Sequence, residues 1–360
     1  MSSFHKYMDI IAWVRSQLAE GAFVPGDRFL SEAELGQRFC VSRQTVRRAL
    51  DELARDGLIV RVQGSGTFIA GAPSPRPSER NLSASLTIGI ISLYLNDYIF
   101  PAIIRGIESV LTAGGHKLLL ISTQNEIAGE TRALQLMLDS RPAGLIVEPT
   151  KSGLPCVNLH LYQRLARLGI PVIFTDSCYS DLNAPYVALD DVSTGYFATK
   201  HLIEMGHRRI LGVFSHSNRA GSLRYSGYMR ALMDHSIPPR DDFVHWYDQD
   251  DMGTILQGEP MSAALPQATA AVCYNDDLAA SLMDNLKLRG LQVPRDFSLI
   301  SIDNTPLARL NNLSCLVHPG ERLGEAAANL LLSMLRGAPG KNILFPPELV
   351  SRHSVLRLEV

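Results

Sequence analysis

From Leu86 onward the chain alternates short apolar runs with amphipathic stretches that often close on glycine, and no other feature of the sequence constrains the fold as tightly. The runs are LTIGIIS, KLLLIS, AGLIVE, PVIFT and YVALD, followed by RILGVFS, AAVCYN and FSLISID. Each is too short for a helix and is bounded by turn residues. Between them, stretches such as PAIIRGIESVLTAGG and DLAASLMDNLKLRG place apolar residues at helical spacing. Strand followed by helix, repeated, means βαβ units whose strands run mostly parallel. About ten such strands over residues 86–360 predict a two-lobed α/β domain rather than a single sheet.

Residues 1–70 have a different texture and form a separate, small, helix-rich domain. Ser31 followed by Glu34 has capping-box spacing and starts a short helix, SEAELGQRF. A turn through Cys40 and Val41 follows, and Ser42 caps a second helix, RQTVRRALDELARDG, which Gly57 ends. On that helix Val46, Ala49, Leu50 and Leu53 form one buried stripe. Arg43, Gln44, Arg47 and Arg48 project from the other side. LIVRVQGSGTFIA then reads as two strands around a Gly-Ser-Gly tip. Helix, turn, helix and hairpin make a winged helix-turn-helix. Residues 71–85, GAPSPRPSERNLSAS, have the proline-rich, small polar composition of an extended linker.

Charge matters here because the formal net charge is only −2, so affinity for nucleic acid has to come from locally placed side chains. The second helix supplies them. Its N-terminus brings backbone N–H groups to phosphate, and arginines there reach guanine edges. The wing glycines let backbone approach the sugar-phosphate chain.

Five cysteines (Cys40, Cys156, Cys178, Cys273 and Cys315) lie far apart, without C-x-x-C or zinc spacing. They read as reduced, buried thiols, with no metal and no cofactor expected. No apolar run approaches about 18 residues, and the N-terminus lacks a signal-like apolar core. A cytoplasmic protein with no membrane partner is expected.

The run LSEAELGQRFCVSRQTVRRALDELARDGLIVRVQGSGTFIA resembles the DNA-binding domain of the GntR family of bacterial regulators. The resemblance implies that Glu32, Arg43, Gln44, Thr45 and Arg47 face the major groove and nearby phosphates. It places Gln63, Gly64 and Gly66 of the wing at the minor groove. Phe29 and Leu30 depart from the family, many of whose members carry Arg or Lys, Leu and Pro before the Ser-Glu pair.

In the larger domain, sugar-binding chemistry calls for paired polar groups at strand ends facing a cleft, with an aromatic face beside them. Asp97, Tyr98 and Phe100 follow the first strand, Glu148 ends AGLIVE, Asp176 follows PVIFT and Asp276 follows AAVCYN. Arg224 lies on a helix just before Gly227. Lys151, close to Glu148, is either a further contact or its salt-bridge partner. Single members of this set have a plainer role open to them, since an Asp after a strand is often only a helix cap.

The segments VALDDVSTGYFATKHLIEMGHRRILGVFS, RYSGYMRAL and AVCYNDDLAASLMDNLKLRGLQVPRDFSLISIDNTPLA resemble the effector domain of LacI/GalR regulators, which shares the fold of periplasmic sugar-binding proteins. By that resemblance Arg224, Asp276 and Asp176 are polar effector contacts and Phe100 an apolar wall, with Trp246 or Tyr247 as a stacking face. A GntR-type winged helix in place of the LacI-type headpiece resembles the arabinose-metabolism repressors of Gram-positive bacteria. This implies operator DNA as partner, a homodimer, and a sugar effector, L-arabinose, that releases the DNA. An activator, or a regulator of another pentose or hexose pathway, shares every motif.

Two other classes fit less well. An enzyme is disfavoured because G-x-S-x-G, Walker A and H-E-x-x-H are all missing. His207 and His216, flanking one strand, read as surface residues. A transport receptor is disfavoured by the winged helix.

Overall fold

The computed structural model describes residues 3–19, 29–56, 58–62, 66–69 and 85–358, and they divide into two compact units, Met1–Arg80 and Asn81–Val360. In the smaller unit α1 (Ser3–Ala19), α2 (Glu32–Phe39) and α3 (Arg43–Arg55) precede an antiparallel hairpin of β1 (Ile59–Val62) and β2 (Gly66–Ile69). The local signals read from the sequence are present. Ser31 Oγ accepts the Glu34 N–H at 3.3 Å while the Glu34 carboxylate accepts the Ser31 N–H at 2.7 Å, closing the capping box. Cys40 takes the left-handed conformation (φ 50°) that lets α2 stop, and Ser42 Oγ accepts the Thr45 N–H to start α3. The stripe Val46, Ala49, Leu50 and Leu53 is buried against Ile10 and Val14 of α1, Leu35 of α2, and Ile59 and Ile69 of the hairpin. Gly57, Gln63, Gly64 and the proline-rich stretch lie outside the described residues.

The larger unit is a two-lobed α/β fold. Its first lobe contains β3 (Thr87–Ser92), α4 (Phe100–Ala113), β4 (Lys117–Ser122), α5 (Ile127–Ser140), β5 (Gly144–Val147), α6 (Leu159–Arg167), β6 (Val172–Thr175) and β7 (Tyr186–Leu189). The second lobe takes α7 (Asp191–Glu204), β8 (Ile210–Ser215), α8 (Arg219–Asp234), β9 (Val244–Tyr247), α9 (Met252–Gln257) and α10 (Glu259–Ala264). It continues with β10 (Ala270–Cys273), α11 (Asp276–Leu288), β11 (Ser298–Asp303), α12 (Pro306–Leu310) and β12 (Ser314–Val317). Then α13 (Gly320–Leu335) and β13 (Ile343–Phe345) return to the first lobe, and β14 (Leu349–Val350) ends on the second.

Each lobe is built on a six-stranded sheet, ordered β13-β7-β6-β5-β3-β4 and β14-β12-β11-β10-β8-β9. Every pairing is parallel except β12 with β14. Helices cover both faces, so the central strands are buried along their length, as runs such as GLIV and AAVC require. The chain crosses between lobes three times, after β7, after β12 and after β13. These crossings leave the C-terminal ends of both sheets facing one cleft.

Two expectations are corrected. Cys40, at its helix-terminating turn, is exposed rather than buried; all five cysteines are free thiols. His207 is not a surface residue but 1% exposed, because its ring bonds Thr269 Oγ1 at 2.9 Å and the Leu356 carbonyl at 3.1 Å and so ties down the C-terminal segment.

Candidate DNA-binding face and effector cleft

The N-terminus of α3 presents Arg43 and Gln44 to solvent, with Thr45 Oγ1 held 2.9 Å from Ser42 Oγ. Arg47 lies one turn on. Its Nε sits 3.0 Å from the Glu32 carboxylate, yet its side chain remains 66% exposed. Glu32 therefore orients Arg47 without covering it. Arg48 stacks its guanidinium over the ring of Tyr7 of α1, 4.4 Å from the ring centroid. Gly66, the described member of the wing trio, opens β2 opposite Val62.

In the larger unit the two lobes line a cleft of about 900 Å³ measured out to its solvent-filled mouth. Arg224 is its central group. It is only 4% exposed, and its Nε donates to Asp191 Oδ1 at 2.7 Å while Nη1 donates to the Tyr274 carbonyl at 2.6 Å. The guanidinium also lies 4.6 Å over the Tyr274 ring. Helix packing makes this possible. A Cβ on Gly227 would stand 2.0 Å from the Val192 carbonyl, and one on Gly195 2.0 Å from the Arg224 carbonyl, so only glycine lets α7 and α8 touch backbone to backbone. That contact brings Asp191, in the first turn of α7, to Arg224. Burial pushes the Asp191 carboxyl up to about 6 even with Arg224 opposing, whereas the carboxylates around Arg224 outweigh its own burial and hold its pKa above the ordinary value.

Asp176 stands at the end of β6 and accepts from His318 Nε2 at 2.9 Å, just past the second lobe crossing. Burial raises the Asp176 pKa, but His318 and Arg224 overcome it and hold the carboxyl below its usual range; burial likewise opposes charge on His318, and Asp176 reverses it. The pair is ionic. Tyr98, in the left-handed region (φ 57°), reaches across the cleft. Its hydroxyl donates to Asp303 Oδ2 and accepts the Asp276 N–H at 3.2 Å. Further contacts join the lobes at the rim: Gly153 N–H to the Ser217 carbonyl at 2.9 Å, and Lys151 Nζ to Asp248 at 3.9 Å.

The cleft thus brings together Asp97, Tyr98, Phe100, Asp176, Arg224 and Tyr247 from the sequence-based set. It does not bring Glu148, Lys151 or Asp276 to its wall. Glu148 is 2% exposed beneath the floor, its Oε2 bonded to Ser92 Oγ at 2.5 Å and the Leu93 N–H at 2.9 Å, and burial pushes its carboxyl up to about 8. Lys151 pairs with Asp248, not with Glu148. Asp276 is fully buried: Ser301 Oγ donates to one oxygen at 2.5 Å and the Thr305 N–H to the other at 2.7 Å. Of the two stacking candidates, Tyr247 lines the cleft, and Trp246 packs on the opposite face of β9 against Tyr225 and Phe214. Sequence reasoning passed over Asn275, Tyr274, Asp248 and Asp303, all on the wall. Asp303 had a signal, since it ends the strand FSLISID.

Comparison with known proteins gives the same two parts. A model of the bacterial regulatory proteins of the gntR family matches residues 6–69, and a periplasmic binding protein-like domain matches residues 199–355. The chain is 35% identical to the arabinose metabolism transcriptional repressor of Halalkalibacterium halodurans over 97% of its own length and 96% of that protein. With the protein of the same description from Geobacillus stearothermophilus it shares 34% identity, over 97% of each chain. Two solved structures confirm the two-lobed fold. The transcription regulator CcpA of Lactococcus lactis superposes with a TM-score of 0.68 at 23% identity, over 76% of this chain and 100% of that one. The CelR–cellobiose complex superposes at 0.67 and 20% identity, over 87% and 90%.

Proposed function

Because this chain belongs to the family of arabinose metabolism transcriptional repressors and is a sugar-responsive repressor of the same two-part construction, we propose that its effector is L-arabinose, bound between the lobes of the larger unit. The observation that carries this reading is Arg224. A buried guanidinium, locked by Asp191 and the Tyr274 carbonyl, turns its remaining edge toward a cleft large enough for a pentose.

In this reading Arg224 and Asp176 hold sugar hydroxyls, and Asp97, Tyr98, Phe100 and Tyr247 complete the walls. Glu148, Lys151 and Asp276 act from behind or beside them: Glu148 supports the floor, Lys151 bridges the rim, and Asp276 fixes the turn that carries Thr305. On the DNA side, Glu32, Arg43, Gln44, Thr45 and Arg47 meet the major groove, and Gln63, Gly64 and Gly66 the minor groove. The large units pair as a homodimer and place two winged helices on a pseudo-palindromic operator in the cytoplasm. Sugar binding favours one arrangement of the lobes and disfavours the DNA-competent dimer by a coupling of about 1–3 kcal/mol. The chain catalyses no reaction on its effector and recovers it unchanged.

Calorimetry of the full-length protein against a panel of aldoses, with gel shifts on operator DNA, tests this. L-arabinose is expected to bind most tightly and to release the operator. Tighter binding and release by another pentose or hexose would replace L-arabinose as effector, and no binding by any aldose would remove the cleft from this role.

A further inference from the structure

Beside the effector cleft lies a second cavity of about 530 Å³, again measured out to its solvent-filled mouth. Of its wall, only Asp176 also lines the cleft. Ser177 and Cys178 follow β6 of the first lobe, Asp190 and Asp191 lie on the first crossing, and Arg219 and Leu223 belong to the start of α8 in the second lobe. Ser152 holds these parts together, since its Oγ accepts the Arg219 N–H at 3.1 Å and the Ser177 hydroxyl at 2.9 Å. A Cβ on the neighbouring Gly153 would stand 2.6 Å from the His216 carbonyl, so this loop of the first lobe meets the start of α8 without room for a side chain.

Most charges in this cavity already have partners. Asp176 pairs with His318 and Asp191 with Arg224, while Asp190 caps α7 by accepting the Ser193 N–H at 3.1 Å and its hydroxyl at 2.7 Å. Arg219 differs. It is partly buried, yet among the described residues its guanidinium has neither a hydrogen bond nor an ion pair. The Cys178 thiol on the same wall registers that charge, because burial raises its pKa and Arg219 pulls it back down. Much of the remaining wall is apolar, with Ala188, Val192 and Leu223 inside and Leu344 50% exposed on the edge strand β13. An unpaired, partly desolvated guanidinium beside apolar side chains is suited to an organic anion. One negative charge fits better than two, since Asp190 and Asp191 line the same cavity and repel a second.

We propose that this cavity is a second ligand site, distinct from the sugar cleft, for a small organic monocarboxylate whose carboxylate pairs with Arg219 and whose apolar body lies against Leu223 and Leu344. A ligand so placed touches both lobes and the crossing between them, so its binding is linked to any change in their arrangement. The site does not depend on which sugar fills the cleft.

Calorimetry on the full-length protein tests this with hexanoate and benzoate, their neutral counterparts hexanol and benzyl alcohol, and inorganic phosphate, each with and without saturating L-arabinose. At least one carboxylate is expected to bind with a Kd of about 10 mM or tighter, and its alcohol to bind more weakly. Arg219→Ala should weaken that carboxylate about tenfold or more, the range for a hydrogen bond to a charged group, and leave the alcohol unchanged. If Arg219→Ala does not fold, Leu344→Asp takes its place, because it adds a repelling charge at an already exposed position. L-arabinose should leave the carboxylate site available. Binding by neither carboxylate overturns the proposal, as does affinity unaltered in the folded variant. Tighter binding of phosphate than of both carboxylates overturns it too, and so does complete displacement by L-arabinose, which would put the anion in the sugar cleft.

Discussion

A buried charge survives only when its partners replace the water it has lost. Arg224 meets that condition through Asp191, the Tyr274 carbonyl and the Tyr274 ring. Glu148 meets it differently, because burial favours its protonated form. Burial is the main cause, helped by the Asp176 charge and opposed by the bonds from Ser92 and Leu93, and the carboxyl is pushed from 4.5 up to about 8. A folded value above the unfolded one means that the stabilisation is fully present below pH 4.5 and is lost as pH rises through about 8. The thermal midpoint should therefore fall from pH 5 to pH 9 in the parent, and less steeply in Glu148→Gln, which cannot ionise. Parallel melts across that range check it; identical slopes would show that Glu148 is not the titrating group. The sequence placed Glu148 at a strand end but could not say which way it turned. Trp246 and Tyr247 show the same limit: adjacent residues of one strand face opposite sides, and only the register of β9 on β8 decides which of them meets the cleft.

Packing of α7 on α8 sets the geometry of Arg224, and two glycines permit it. Gly227→Ala places a methyl 2.0 Å from the Val192 carbonyl and 2.5 Å from the Tyr196 nitrogen, both of them backbone atoms with no side-chain freedom to yield. It should cost about 1–3 kcal/mol of stability by overpacking and weaken sugar binding by spreading Asp191 from Arg224. Gly253→Ala, where nothing stands within 4 Å of the new Cβ, is the control and should leave both unchanged or gain slightly in helix propensity. Urea denaturation and sugar titration of the two variants separate these outcomes. In the smaller unit, Arg47→Ala should lower operator affinity by about 1–3 kcal/mol, as loss of a base or phosphate contact does. Its exposed side chain lies off the buried stripe, so the fold should persist. Gel shifts on the folded variant measure it, and unchanged affinity would take α3 out of the groove. The caps and stripe of α3 were legible because they are local, set by neighbours three or four residues apart. The strands β9, β12, β13 and β14 were not among the runs read from the sequence, and tertiary pairing fixes them.

For the molecule as a whole, repression has to connect an effector domain to a winged helix through residues 71–85. That stretch of the sequence holds Pro73, Pro75 and Pro77, and because proline lacks a backbone donor and disfavours helix at the residue before it, we propose that it acts as an extended tether and not as an ordered hinge helix. Coupling through a tether depends on effective concentration and on the separation of its two roots. Inserting about ten Gly/Ser residues between Arg80 and Ser85 should leave sugar affinity of the free protein unchanged and blunt the effect of sugar on operator binding. Full response in the lengthened variant would mean that the signal passes through direct contact between domains.

The sequence by itself determined the two-part construction, the capped helices and hairpin of the winged helix, the alternating strands of a parallel α/β fold, and most of the residues at strand ends near the cleft. All of these depend on neighbours close along the chain, whose periodicity and capping leave a readable mark. Tertiary structure decided which carboxylates face the cavity. Asp276 and Asp303 both follow apolar strands and look alike as sequence, but Ser301 and Thr305 saturate one while the other keeps an oxygen turned toward Arg224. That choice is made by partners 25 to 79 positions away in the chain, at Ser301 for Asp276 and at Arg224 for Asp303, and no local pattern encodes them.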